Sequence, residues 1–140
     1  MYIVMITGSP HKNGTSSLLA DEFIKGAEES GHSVFRFNTA FECVHPCIGC
    51  DSCQCGDKPC VFQDDMNFLY PELKKAMLLM TAASNVESIY NGALGSYHET
   101  VKYLGWNDSG VLLAYGCSTR ADIEKTDYPK KAYELGRAVK

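Results

Sequence analysis

The chain has 140 residues, of which 45% are hydrophobic and 21% charged, and its formal net charge is −4 at pH 7. That length predicts one domain, residues 1–140, large enough to bury a core, and the acidic balance excludes nucleic acid as a partner because phosphate backbones need a basic face. No apolar run reaches the length of a membrane span, and MYIVMITGSP lacks a basic leader, so the expectation is a cytoplasmic protein with no membrane partner. Thiols stay reduced there, so seven cysteines point to metal or redox chemistry rather than a disulfide framework.

Tyr2–Thr7 is a continuous, β-branched-rich apolar run ended by Gly8, as expected of a strand buried on both faces. Gly8–Gly14 is loop chemistry, and Thr15, Ser16 and Ser17 offer caps to a helix whose apolar positions are Leu18, Leu19, Phe23, Ile24 and Ala27. Gly31 closes that helix, and the alternation in Ser33–Asn38 predicts a second strand. A cysteine-rich loop at 43–60 follows, then Asp64-Asp65 as N-caps of a helix running to about Ala76, with Pro71 marking a kink or a fresh start. Met77–Ala83 is a third strand, Val86–Leu104 a helix ended by Gly105, Gly110–Tyr115 a fourth strand and Thr126–Lys140 the last helix. Strands alternating with helices predict an α/β fold with a parallel sheet, whose ligands sit outside the carboxyl ends of the strands. The loops of interest are therefore Gly8–Gly14, the cysteine loop, Ala82–Val86 and Gly116–Lys125.

GSPHKNGTSS lies between the first strand and the first helix. Backbone N–H groups at a helix start, with several hydroxyls and no acid, form an anion site. No Lys precedes Thr15 and no G-x-G-x-x-G is present, which excludes the P-loop and the dinucleotide fingerprint. The spacing fits one phosphate gripped by Ser9, Thr15, Ser16 and Ser17, with His11 and Lys12 nearby; the alternative is a plain capped loop.

Together, MITGSPHKNGTSSLLADEF and CIGCDSCQCGDKPCVFQDDM, followed by MLLMTAAS and KYLGW…YGC, resemble the flavodoxin-like NAD(P)H-dependent FMN reductases and the iron–sulfur flavoproteins of the same family. His11 stands where Arg is common in that family, and Thr15 where Asn is common. The resemblance implies a three-layer α/β sandwich, an FMN cofactor, NAD(P)H as electron donor and a homodimer. It implies FMN contacts from Ser9, His11, Asn13, Gly14, Thr15, Ser16 and Ser17, and from Thr81, Ala82, Ala83 and Ser84 at the end of the third strand; for the latter group an ordinary strand end with a capping serine is the alternative. No catalytic side chain is expected, because the flavin carries the chemistry.

The cysteines at 47, 50, 53 and 60 form a C-x2-C-x2-C-x6-C array, with Cys43 and Cys55 extra. Four thiolates suit a [4Fe–4S] cluster or zinc, and the resemblance favours the cluster as a possible electron partner of FMN; a metal-free loop packed at a subunit contact is the alternative. Four strands are readable where the family has five. The expected break falls between Ala76 and Met77, where the family has a further central strand, an aromatic-rich loop and a helix. A segment absent from this sequence, a deletion and a misalignment compete as explanations, and a strand supplied by another chain would also fill the gap. The functional expectation is an FMN-binding oxidoreductase moving electrons from NAD(P)H to a small molecule or protein; the alternatives are a non-catalytic FMN/iron–sulfur electron carrier and an inactive truncated relative.

Overall fold

A computed structural model describes residues 1–54, 60–70, 73 and 75–140. The elements are β1 (Tyr2–Thr7), α1 (Thr15–Glu29), β2 (Ser33–Asn38), β3 (Lys75–Thr81), α2 (Asn91–Leu104), β4 (Asn107–Ala114), α3 (Arg120–Glu124) and α4 (Tyr128–Ala138), with 3-10 turns at Ser52–Gln54, Asp65–Phe68 and Glu87–Tyr90. Helices alternate with parallel strands, as the α/β flavodoxin-like expectation requires.

The strands form two separate pairs. β1 runs parallel to β2 from Tyr2↔Ser33 to Thr7↔Asn38, and β3 parallel to β4 from Lys75↔Asn107 to Thr81↔Ala114. Among the described residues no ladder joins β1 to β3. Four strands are present among the described residues, and the seam lies where the family's central strand is expected. Ala76 and Met77 both lie inside β3, and the register against β4 shifts between Ala76 and Leu78.

One layer bridges the seam. Leu18, Leu19, Phe23 and Ala27 of α1 form a core with Leu112 and Ala114 of β4, Ile123 of α3 and Ala132 of α4. Ile3 and Met5 of β1 and Met77 and Leu79 of β3 pack against that same cluster. α1 therefore holds both strand pairs by their side chains rather than by backbone hydrogen bonds. The contact between α1 and α4 is a backbone crossing at two glycines. A Cβ at Gly26 would run into the Tyr133 carbonyl, and one at Gly136 into the Phe23 carbonyl.

Several expectations need correction. The helix from Asp64-Asp65 to Ala76 is instead a 3-10 turn, Asp65–Phe68, with Ala76 already in a strand. Asp64 does cap it, accepting from the Met66 N–H. The expected kink at Pro71 lies outside the described residues. β1 is not buried on both faces: Tyr2 is 52% and Ile6 44% exposed, because helix cover reaches the Ile3 and Met5 side but not theirs. The helix expected from Val86 starts as a 3-10 turn and becomes α2 only at Asn91; it ends, as expected, at Gly105, which is left-handed with φ 64°. The final helix spans Tyr128–Ala138, and α3 precedes it inside what was expected to be loop. No described helix is long and apolar enough to cross a membrane.

Candidate functional site

The carboxyl ends of β1, β3 and β4 and the start of α1 meet at one rim. α1 begins after Gly14, whose side of the helix start carries no side-chain cap, and its first turn holds no acidic residue. The first intrahelical bond runs from Leu18 N–H to the Gly14 carbonyl, at 3.2 Å. The N–H groups of Thr15, Ser16 and Ser17 therefore precede the helix ladder, and no side chain caps them. With the positive end of the helix dipole, they make a cradle suited to a phosphate. The loop before it is closed by a turn from Gly14 N–H to the His11 carbonyl at 3.1 Å, with His11 N–H on Ser9 Oγ at 3.3 Å.

The hydroxyls of this loop tie it across the seam. Thr15 Oγ1 lies 2.9 Å and Ser16 Oγ 3.1 Å from Thr81 Oγ1, at the end of β3. Two of the sequence-predicted groups are thus brought together at Thr81. Beyond it, Ala82 N–H donates to the Ala114 carbonyl (2.9 Å), the Ala82 carbonyl accepts from Cys117 N–H (2.8 Å) and the Ser84 carbonyl accepts from Gly116 N–H (3.1 Å). Ser84 Oγ accepts from Val86 N–H at 3.1 Å, which turns the chain toward α2. Ala82 and Ser84 are therefore engaged with the β4 rim, while Ala83 is the small residue between them. Gly116 is left-handed at φ 67° and lies under the Asn85 side chain, which a Cβ there would strike.

Two cavities flank the Gly8–Gly14 loop. One, of about 510 Å³, lies between Ser9, His11, Lys12, Asn13, Gly14 and Thr15 on one side and Ser118, Thr119 and Arg120 on the other. Its Thr15 is the residue tied to Thr81 at the end of β3. Arg120 reaches it while paired with Glu124 at 2.8 Å, and Thr119 and Asp122 form a reciprocal capping box at the start of α3. Hydrogen bonds from Thr119 hold the Asp122 carboxyl below the usual range. The second cavity, about 400 Å³, lies on the β2 side.

The cysteine loop is clipped at its base. The Cys43 N–H donates to Asp65 Oδ2 at 2.7 Å, and Asp65 N–H returns a bond to the Cys43 carbonyl at 3.1 Å. His45 N–H donates to Asp64 Oδ2 at 2.8 Å, and the His45 ring stacks on Phe62 at 4.9 Å. The bond from His45 is the main reason the Asp64 carboxyl sits below its usual range. Cys47, Cys50 and Cys53 are exposed, Cys60 is half-buried, and all four are free thiols. Hydrogen bonds from Ser52 hold the Cys50 thiol below its usual range. Among the described residues no three His, Cys, Asp or Glu side chains gather closely enough to hold a metal ion. The four sulfurs, although at ligand-like spacing, do not form a centre in this arrangement, and Cys55 lies outside the described residues. Cys117 is buried, and burial raises its thiol, so it behaves as a small hydrophobe.

Reading the sequence alone missed Arg36, Asn38 and Phe41, which line the second cavity. The available signal was a cation in an alternating, largely apolar strand; it is directed toward α1, where it meets Ser17 and Asp21.

The family model described as NADPH-dependent FMN reductase matches residues 1–122. An iron-sulfur flavoprotein of Methanosarcina thermophila is 30% identical over 135 residues, covering 90% of this chain and 69% of that protein. An iron-sulfur flavoprotein of Methanocaldococcus jannaschii is 32% identical over 76 residues, 54% of this chain, and the match spans only 39% of that relative's length. The chain belongs to the NADPH-dependent FMN reductase family.

Proposed function

We propose that this protein is an FMN-dependent oxidoreductase that accepts electrons from NAD(P)H and passes them to a small molecule or a redox protein. The observation that carries this reading is the uncapped, acid-free start of α1, ringed by Ser9, Thr15 and Ser16. These residues fit the phosphate of FMN: Thr15, Ser16 and Ser17 would offer backbone N–H groups, and Ser9 and Asn13 would close the loop around it. The rim at Thr81, Ala82, Ala83 and Ser84 would border the flavin ring. Bound there, FMN supplies hydride and electron chemistry that no side chain here provides. The protein's part is to grip the phosphate, orient the ring across the Thr15–Thr81 tie and keep the rim small. A homodimer in the cytoplasm completes the reading, the second copy bordering a site that one chain leaves open at the seam.

Titration of the purified protein with FMN, followed by flavin fluorescence, and then NADPH oxidation at saturating FMN test it. Saturable quenching with turnover is expected; no quenching up to millimolar FMN rejects the flavin reading.

A second reading, an FMN/iron–sulfur electron carrier, is favoured by the C-x2-C-x2-C-x6-C array on its clipped loop and by the names of the two relatives. The sulfurs as placed do not fit a metal, so the loop would have to gather Cys47, Cys50, Cys53 and Cys60 on loading. Iron and acid-labile sulfide quantified after anaerobic purification decide it: about four irons per chain support the cluster, and an iron-free, colourless protein ends it.

A further inference from the structure

The hydrogen bonds beneath the start of α1 run in one direction. Ser17 and Asp21 lie one turn apart on α1, and Arg36 of β2 bridges them. One terminal nitrogen donates to Asp21 Oδ1 at 2.5 Å and the other to Ser17 Oγ at 3.0 Å. The Arg36 Nε–H donates to Asn38 Oδ1 at 3.1 Å, and that oxygen also accepts from Thr7 Oγ1 at 2.5 Å. Thr7 ends β1 and Ser17 lies in the first turn of α1, so two residues of β2 tie the entry of the Gly8–Gly14 loop to its exit. A guanidinium carries N–H donors and no acceptor, so every group it bonds must accept. Asn38 Oδ1 is thereby filled by two donors, and Ser17 Oγ is an acceptor toward Arg36. A hydroxyl has a single proton, and no hydrogen bond among the described residues uses the one on Ser17.

Ser17 is 5% exposed, yet it lines the cavity of about 400 Å³ together with Ser9, Lys12, Ser16, Arg36 and Asn38. Its backbone N–H is also one of those that precede the helix ladder, since the first intrahelical bond is that of Leu18. A serine in a helix otherwise turns its proton back onto a carbonyl of the preceding turn, which here means Asn13 or Gly14. The Gly14 carbonyl already accepts from Leu18 N–H, and the Arg36 bond holds the Ser17 oxygen from the β2 side. We propose that Arg36 is a positioning residue for the anion site: by holding Ser17 Oγ as an acceptor, it commits the Ser17 proton to the anion. Ser17 then gives a bound phosphate both its N–H and its O–H. The charge of Arg36 is offset by Asp21, so its effect passes through Ser17 rather than through contact with the ligand. The identity of the anion as the FMN phosphate rests on the flavin reading above; the role of Arg36 does not.

The test is fluorescence titration with FMN and with riboflavin, which lacks the phosphate, alongside calorimetric titration with inorganic phosphate. Ser17→Ala and Arg36→Gln should each weaken FMN and inorganic phosphate about tenfold and leave riboflavin unchanged. The double variant should be about tenfold weaker than the parent and no more, because both changes remove the same donor. Arg36→Lys, which keeps a donor for Ser17 but not the fork to Asn38, should recover most of the FMN affinity. Equal losses of FMN and riboflavin in Arg36→Gln would make the arginine merely structural and overturn the proposal. So would losses that multiply to about a hundredfold in the double variant, or parent-like FMN binding by Arg36→Gln. If Arg36→Gln does not fold, Arg36→Lys combined with Ser17→Ala decides: it should bind FMN as Ser17→Ala alone does, and a further loss overturns the role. Protein that binds inorganic phosphate with this variant pattern but never FMN keeps the role of Arg36 and rejects the flavin reading. Protein that binds neither rejects both.

Discussion

Ser16 separates binding from folding at the scale of a single side chain. It occupies the first turn of α1, where a carboxylate would meet the positive end of the helix dipole. Ser16→Asp should therefore leave stability within about 1 kcal/mol of the parent, while its charge repels a phosphate and weakens FMN at least about tenfold. Thermal melts and fluorescence titration on the same sample check both halves. Tyr90 gives a second residue-level prediction. Its hydroxyl donates to the Ala114 carbonyl at 2.5 Å, and burial is the main cause that pushes its ionisation from 10.0 to about 12. An acid with a raised folded-state value stabilises the fold below its unfolded value and loses that contribution as pH rises through the folded one. Stability should thus fall between pH 10 and about 12, and the part of the fall due to Tyr90 should vanish in Tyr90→Phe. That variant should cost about 1 kcal/mol at neutral pH, since the Ala114 carbonyl still accepts from Ala82 N–H. Urea melts across that range, compared between the two proteins, are the measurement.

Among the elements, the α1–α4 crossing is the most sensitive. Gly26 and Gly136 let the two backbones touch, with Tyr133 and Phe23 carbonyls where Cβ atoms would be. Gly136→Ala must push the helices apart and should cost about 2–3 kcal/mol or more, read as a lower urea midpoint at unchanged slope. An unchanged midpoint would mean that the helices do not cross there. α1 was legible from its sequence because its apolar spacing and Gly31 are local signals. The crossing was not, because a glycine inside a helix pattern looks like a mere weakness until its partner helix is known. The same applies to the helix expected over 65–76: its N-cap was real, but Lys75 and Ala76 pair with Asn107 and Asp108, and that distant pairing overrode the local pattern.

For the whole molecule, the seam between the strand pairs dominates. A two-stranded ribbon is marginal by itself, so each pair depends on α1 and its cluster. Alternate N–H groups of β1 point away from β2 toward the seam. Amide exchange followed by NMR should therefore split Ile3–Thr7 into slowly and rapidly exchanging positions. Uniform protection along β1 would show that another strand pairs there in solution, and sedimentation of the same sample would show whether a second chain supplies it.

Continuity of apolar residues, helix-period spacing and loop chemistry by themselves determined the described strands, α1, the end of α2 at Gly105 and the loop at Gly8–Gly14, because each depends on residues close together in the chain. They also ran a helix up to Ala76, which the pairing of Lys75 and Ala76 with β4 overturns. Only the tertiary structure decided that Thr81 meets Thr15 and Ser16, that Arg36 is fixed between Ser17, Asp21 and Asn38, and that the described cysteines of the clipped loop do not gather into a metal centre. Those facts depend on which strands lie side by side, and with no ladder between β1 and β3 among the described residues that neighbourhood is set by side-chain packing on α1 rather than by a pairing that sequence periodicity could announce.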